Sequence, residues 1–241
     1  MRYGIFSDVH SNLEAFEVAL KFYEKERIDK FIFCGDIIGY GADPRQCLSL
    51  LKSLNPICVS GNHDWAAINK FNLNYFNPYA RQALIWTKEE LTASDLNYLG
   101  TFSLTHKEDN FICVHGSLDN PAQFNYIIYS YEARRSFSLL RRQIIFVGHS
   151  HRREAFCLEN NKISYLNDAK IKIKPKAKYI INDGSVGQPR DGDPRLSVCV
   201  YDSDEKVVIF KRLEYNIKKA ADKILAKGLS DMLAIRLFQG K

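Results

Sequence analysis

The sequence predicts an α/β layered fold. Three observations carry that reading. Short apolar runs alternate with amphipathic stretches through residues 2–60. Beyond residue 143, apolar runs succeed one another with little helix between them. Five of the runs also end in a short polar block rich in Gly, Asp, Asn and His, the arrangement in which open α/β sheets hold ligands at their strand ends.

Taken in order, RYGIFS (2–7) reads as a strand, and Leu13–Glu26 sets Leu13, Phe16, Leu20 and Tyr23 at helical spacing. KFIFCG (30–35) is a second strand. Asp43 then serves as an N-cap with Pro44 at the first helical position of a helix to Leu54. PICVS (56–60) is a third strand, so this half predicts a largely parallel sheet. Residues 66–100 break the rhythm. Asn77 and Pro78 open a helix over Tyr79–Leu91, and Ser94 caps a short one through Leu99. Asn69, Asn72, Asn74 and Asn77 crowd its approach together with Phe71, Tyr75 and Phe76. The stretch reads as a helical insertion near the site opening, either a lid or a cover for the sheet edge.

Strands resume at 101–105, 110–114 and 143–147, with a helix near 131–141. Runs at 153–158, 162–166, 178–182, 195–201 and 206–212 then predict a second, mainly antiparallel sheet. IKIKPKAK (171–178) alternates lysine with apolar residues, as an edge strand guarded by charge does; a basic arm for nucleic acid is the alternative. Ile217–Phe238 is helical with an interruption at Gly228. With no internal repeat or linker, residues 1–241 read as one domain.

Composition narrows the function classes. Hydrophobic residues at 46% and charged residues at 26% exclude a disordered chain. The longest apolar runs, Phe31–Cys34 and Ile144–Val147, are strand-sized, which argues against a membrane protein. No signal peptide is expected, because Asp8 follows directly on the first strand, and the predicted location is cytoplasmic. Six cysteines form no CxxC pair, and Cys34, Cys113 and Cys199 lie within strand-like runs, so reduced, buried thiols are expected. A net charge of +6 suits an anionic substrate without separating a phosphate ester from nucleic acid.

Five of the six histidines fall in the polar blocks SDVH (7–10), GNHD (61–64), VHG (114–116) and GHSH (148–151); the fifth block is CGD (34–36). His106 stands outside and reads as a surface residue. Residues i and i+2 of an extended segment share a side, so Asp8 with His10, and His149 with His151, are each expected to face a common centre. The glycines before Asp36, Asn62 and His149 allow tight turns. Asp8, His10, Asp36, Asn62, His115, His149 and His151 make a mixed N/O donor set without thiolate. Such a set suits borderline divalent ions, manganese foremost, with iron, nickel, cobalt or zinc as alternatives. Seven donors exceed what one ion takes while keeping an open position. Two ions are therefore expected, with Asp36 as the bridging carboxylate.

The order D-x-H, G-D, G-N-H-[DE], a single His and G-H-x-H, complete from Asp8 to His151, closely resembles the calcineurin-like metallophosphoesterase superfamily. GSVGQPRDGDPR (184–195) resembles its small bacterial and archaeal phosphodiesterase branch, the YfcE-like group, although Asp183 stands where that branch usually has proline. The resemblance implies a four-layer α/β/β/α sandwich of two mixed sheets. It implies that Asp8, His10, Asp36 and His151 hold one ion, and that Asp36, Asn62, His115 and His149 hold the other. It also implies catalytic His63 beside the phosphate, with Asp64 next to it as the candidate orienter of His63; a helix N-terminal carboxylate is the alternative for Asp64. The implied reaction is phosphate ester hydrolysis by hydroxide that the ions activate.

Asn62 and His63 are candidate substrate contacts. Arg190 could meet a substrate phosphate or be a solvated loop residue, and Asn12 could do so too, with helix capping favoured. The expected partner is a small organic phosphate or nucleotide, with no membrane and no nucleic acid. A phosphoprotein phosphatase or nuclease is the first alternative, and a non-catalytic interaction module on the same fold the second.

Overall fold

The computed structural model describes all 241 residues. Its first part runs β1 (Arg2–Phe6), α1 (Leu13–Lys25), β2 (Lys30–Phe33), α2 (Pro44–Leu54), β3 (Ile57–Cys58), α3 (Asn62–Ala67), α4 (Pro78–Glu90) and α5 (Ala93–Leu99). The middle holds β4 (Thr105–Lys107), β5 (Phe111–Val114), α6 (Ser130–Leu139), β6 (Ile144–Val147), β7 (Arg153–Glu159) and β8 (Lys162–Leu166). The chain ends with β9 (Lys170–Lys172), β10 (Lys178–Asp183), β11 (Leu196–Asp202), β12 (Val207–Leu213), α7 (Ile217–Ala226) and α8 (Asp231–Gln239).

The strands form two six-stranded sheets, ordered β3-β2-β1-β11-β12-β9 and β4-β5-β6-β10-β7-β8. β1, β2 and β3 are mutually parallel, and β11 joins β1 antiparallel. In the second sheet β5, β6 and β10 are parallel; β4 pairs antiparallel with β5, β7 with β10, and β8 with β7. Both sheets are mixed. The expected division into a parallel N-terminal sheet and an antiparallel C-terminal sheet is corrected: β9, β11 and β12 cross over to extend the first sheet.

Side-chain alternation builds the layers. Tyr3, Ile5, Ile32, Cys34, Cys199 and Tyr201 of the first sheet bury against Phe111, Cys113, Ile144, Phe146, Tyr179 and Ile181 of the second. The opposite positions Phe6, Phe33, Val198 and Val200 pack under Phe16, Ala19, Tyr23, Leu48 and Leu51 of α1 and α2. Ile112, Val114, Ile145 and Val147 turn outward to Ala133 and Phe137 of α6. Helix, sheet, sheet and helix are thus stacked in four layers. All six cysteines are free, and five of them are buried.

Some local expectations need correction. Residues 101–104 do not form a strand: Ser103 makes one isolated bridge to Val59, and pairing begins only at Thr105. Asp43 precedes α2 without a side-chain capping bond, because its carboxylate accepts from Lys223 at 2.8 Å. Thr92, not Ser94, caps α5, accepting from the Asp95 N–H. Gly228 does separate α7 from α8, in a left-handed conformation with φ of 68°. The lysine-guarded run supplies β9, an edge strand paired only with β12. In the 66–100 insertion, Leu84, Leu91 and Leu99 bury into the core under the first sheet.

Candidate metal centre and active site

All five polar blocks lie just beyond the carboxyl ends of parallel strands: Asp8 and His10 after β1, Asp36 after β2, Asn62 and His63 after β3, His115 after β5, and His149 and His151 after β6. The two sheets place these edges together. Asp8, His10, Asp36, His149 and His151 have φ between 49° and 69°, the left-handed region that L residues usually avoid. The extended i, i+2 geometry is therefore corrected: convergence comes from strained turns, and such strain persists only where the surroundings over-determine it. Close approach enforces the glycines. A Cβ on Gly61 would overlap the Asp36 carboxylate, and one on Gly148 would crowd Ser7 and Asp8.

The donors form two clusters. Asp8, His10 and His151 make one, and Asp36, His115 and His149 the other. Asp36 Oδ2 lies 3.2 Å from His115 Nε2 and 3.8 Å from His10 Nε2, so it faces both. The Nδ1 atoms of His10, His115 and His151 meet the carbonyls of Ile38, Cys34 and Gln188 at 3.0, 2.8 and 2.6 Å. A carbonyl can only accept, so each Nδ1 carries a proton; the rings of His10 and His151, held neutral by burial, turn a bare Nε2 inward, and His115 aims its Nε2 at Asp36. Two such nitrogens, of His10 and His151, face each other at 3.1 Å. Neither has a proton to share, whereas two ligands at about 2.0–2.2 Å from one ion lie roughly 3 Å apart.

Buried atoms without partners give an independent test of fit. Asp8 Oδ1, Asn62 Oδ1 and His115 Nε2 are all buried and make no hydrogen bond. Each would otherwise carry a desolvation cost. Divalent ions suit this donor set, and the orphaned atoms are the ones they would use.

Electrostatics agree. Burial pushes Asp8 up, but His151 and His115 beside it, with the Ser7 hydroxyl, leave it at about 2. Burial lowers His115 while Asp36 and Asp8 raise it further, to about 10, so a cation is favoured between these groups. Burial drives His10 and His149 well down and lowers His151. Burial, reinforced by Arg190 and opposed by Asp36, takes His63 to about 4.

His63 lies beside both clusters, with a ring nitrogen within 4.8 Å of ligand atoms of His10 and Asp36. Its backbone N–H donates to Asp36 Oδ1 at 2.9 Å, and its ring Nδ1 is buried without a partner. Asp64 does not touch that ring. Its carboxylate accepts the N–H groups of Asp36, Ile37 and Gly61 at 2.8, 3.0 and 3.0 Å, so the expected orienter of His63 instead braces the turn that carries Asp36. Asn12 takes the favoured capping role. It caps α1 through the Ala15 N–H at 3.2 Å and gives its amide to the Gly187 carbonyl at 2.8 Å. Arg190 reaches the site and donates to Gln188 Oε1 at 2.7 Å, while its Nε is buried without a partner.

A cleft of about 620 Å³ opens beside Asn62 and His149, lined by Phe71, Tyr75, Gln123, Phe124, Asn125 and Tyr126. Tyr126 stacks on His149, ring centroids 3.9 Å apart. Sequence reasoning missed Phe124 and Tyr126; an aromatic pair after the Asn120–Pro121 turn was the available signal. Phe76 turns inward instead, edge-on to His63 at 4.9 Å, and Tyr79 lies outside the cleft lining.

Two sandwiched sheets whose joined edges gather histidines and carboxylates define a metal-dependent phosphoesterase. The model of the calcineurin-like phosphoesterases matches residues 1–182, and the chain belongs to that family. An uncharacterized protein of Methanocaldococcus jannaschii is 38% identical over 99% of this chain and 98% of its own. A metallophosphoesterase from Sphaerobacter thermophilus superposes with a TM-score of 0.87 at 38% identity, covering 100% of this chain and 99% of that one. A hypothetical protein from Pyrococcus horikoshii OT3 shares the fold, with a TM-score of 0.82 at 18% identity over 100% of this chain and 98% of that one. No helix is long and apolar enough to cross a membrane.

Proposed function

We propose that this phosphoesterase hydrolyses a small organic phosphate or nucleotide at a two-ion centre in the cytoplasm. The observation that carries the reading is Asp36, one carboxylate facing both histidine clusters, beside an aromatic cleft. Asp8, His10, Asp36 and His151 would hold one ion, and Asp36, Asn62, His115 and His149 the other, manganese first among candidates. When bound, two such ions supply Lewis acidity and an activated water for in-line attack on phosphorus. The chain does the rest. Asp64 fixes the Asp36 turn, backbone carbonyls aim the imidazoles, and Asn62 and His63 face the phosphoryl group. Above pH 4 the free His63 is neutral, so it offers the phosphate one N–H, and an arriving anionic substrate favours its protonated form. Stripping the protein with a chelator is expected to abolish hydrolysis of p-nitrophenyl phosphate or its diester, and Mn²⁺ to restore it. Full turnover in protein shown to be metal-free would overturn the reading.

The cleft supplies selectivity. Tyr75 is 79% exposed and tilted against Phe71 at its mouth, placed to stack on a base or aromatic leaving group. Stacking contributes about 1–3 kcal/mol per base. Tyr75→Ala is therefore expected to raise KM for a nucleotide roughly 5- to 150-fold more than for a small activated ester. Equal changes on both substrates would show that the ring does not read the substrate.

A further inference from the structure

His149 is held differently from the other histidines of the metal centre. Backbone carbonyls aim His10, His115 and His151 through their Nδ1 atoms. The His149 ring makes no hydrogen bond to any protein group; only its backbone N–H is fixed, donating to Asp8 Oδ2 at 3.0 Å. The residue is nevertheless buried, and one ring nitrogen lies within 4.8 Å of ligand atoms of Asp36 and His115. What the ring has instead is Tyr126. The two rings are nearly parallel, with 13° between their planes and centroids 3.9 Å apart. His115, the other ring against it, is tilted by 55° with centroids 4.8 Å apart. The outer torsion of a histidine side chain is broad, so an imidazole without a hydrogen bond turns unless a face contact stops it.

The loop between β5 and α6 imposes this contact. Asn120 and Phe124 both take left-handed φ, 52° and 51°, a strained conformation for a residue as bulky as Phe124. The loop folds back onto Gly116, the residue after His115, where a Cβ would lie 2.8 Å from the Asn125 carbonyl oxygen. Phe124 is buried edge-on to Trp65, Phe71 and His115. Ile127 is buried with Ala133 and Phe137 of α6. Tyr126 is thus carried between two anchored neighbours, and its ring, 45% exposed, is left lying over His149. The contact also suits a ligand. A divalent ion draws electron density from an imidazole that binds it, and the electron-rich face of a phenol stabilises such a ring. The stack can do for His149 what a carbonyl does for the other three.

We infer that Tyr126 is a positioning residue: it fixes the His149 ring and thereby sets the affinity of the ion that Asp36, Asn62, His115 and His149 would hold. The inference rests on the two-ion reading, and its test measures metal binding instead of turnover. Chelator-stripped protein is titrated with Mn²⁺, the free ion being read by its electron paramagnetic resonance signal. Wild type is expected to take up two ions. Tyr126→Ala should weaken one of them about 10–100-fold, as loss of a group that orients a ligand does, and hold the other within about twofold. Tyr126→Phe keeps the ring and loses only the hydroxyl, so it should bind both ions as wild type does. Tyr126→Leu fills space without a flat face and should behave like Tyr126→Ala. His149→Ala should weaken the same ion, and the double variant should lose no more than His149→Ala alone. Unchanged binding in Tyr126→Ala, equal weakening of both ions, or losses that add in the double variant overturns the role. Leucine restoring binding as well as phenylalanine would show packing alone and overturns it too. A wild type that takes up a single ion defeats the two-ion reading itself, a result visible before any variant is compared.

Discussion

Asp36→Asn is expected to lower turnover on the order of 10³-fold and to weaken both metal sites together, since even residues that merely orient ligands cost about 10–100-fold. The substitution is nearly isosteric, so the loss reports charge and donor character more than packing. Asp36 Oδ1 accepts the His63 backbone N–H, and Oδ2 faces His10 on one side and His115 on the other. An asparagine can keep the first bond, but its neutral amide is a poor ligand to two cations at once. Metal content after gel filtration, measured beside kcat, separates the outcomes. Loss of one ion with the other retained would assign Asp36 to a single site. Two ions at wild-type stoichiometry with normal turnover would end the bridging role.

The candidate donors were legible in the sequence because their chemistry is local: Gly, Asp, Asn and His stand in a few short blocks, each behind an apolar strand. How they converge was not. Pairing of i and i+2 assumed an extended chain, and the strand had already ended at Phe6 when Asp8 and His10 turned left-handed. Sheet membership was hidden for another reason. β11 lies beside β1, with Ile5 opposite Cys199, and no residue pattern near either strand encodes a partner so distant along the chain. Asp64 looked like a neighbour of His63 by adjacency; folding of the Asp36 turn back onto it by three backbone donors was invisible to spacing. Tyr126 lies where no periodicity exists at all.

His63→Ala is expected to retain both ions while losing about 10²–10⁴-fold in turnover, the usual contribution of a positioned proton-transfer group. The metal readout matters because a His63 ring nitrogen lies within 4.8 Å of ligand atoms of both His10 and Asp36, and distance alone would also permit ligation. The orphaned Nδ1, and a ring wedged between Tyr40 and Phe76, describe a side chain held still for a partner that the protein does not provide. Two roles for that side chain predict different chemistry. If His63 gives its proton to the leaving oxygen, the loss should grow with leaving-group pKa: small for p-nitrophenol, large for an alcohol such as ribose. His63→Gln should then behave like His63→Ala, because an amide cannot release a proton. If His63 instead donates a hydrogen bond to a phosphoryl oxygen, glutamine should recover part of the rate, and the loss should be the same for every leaving group. A flat dependence on leaving-group pKa, with Gln better than Ala, would move His63 from proton donor to phosphate ligand.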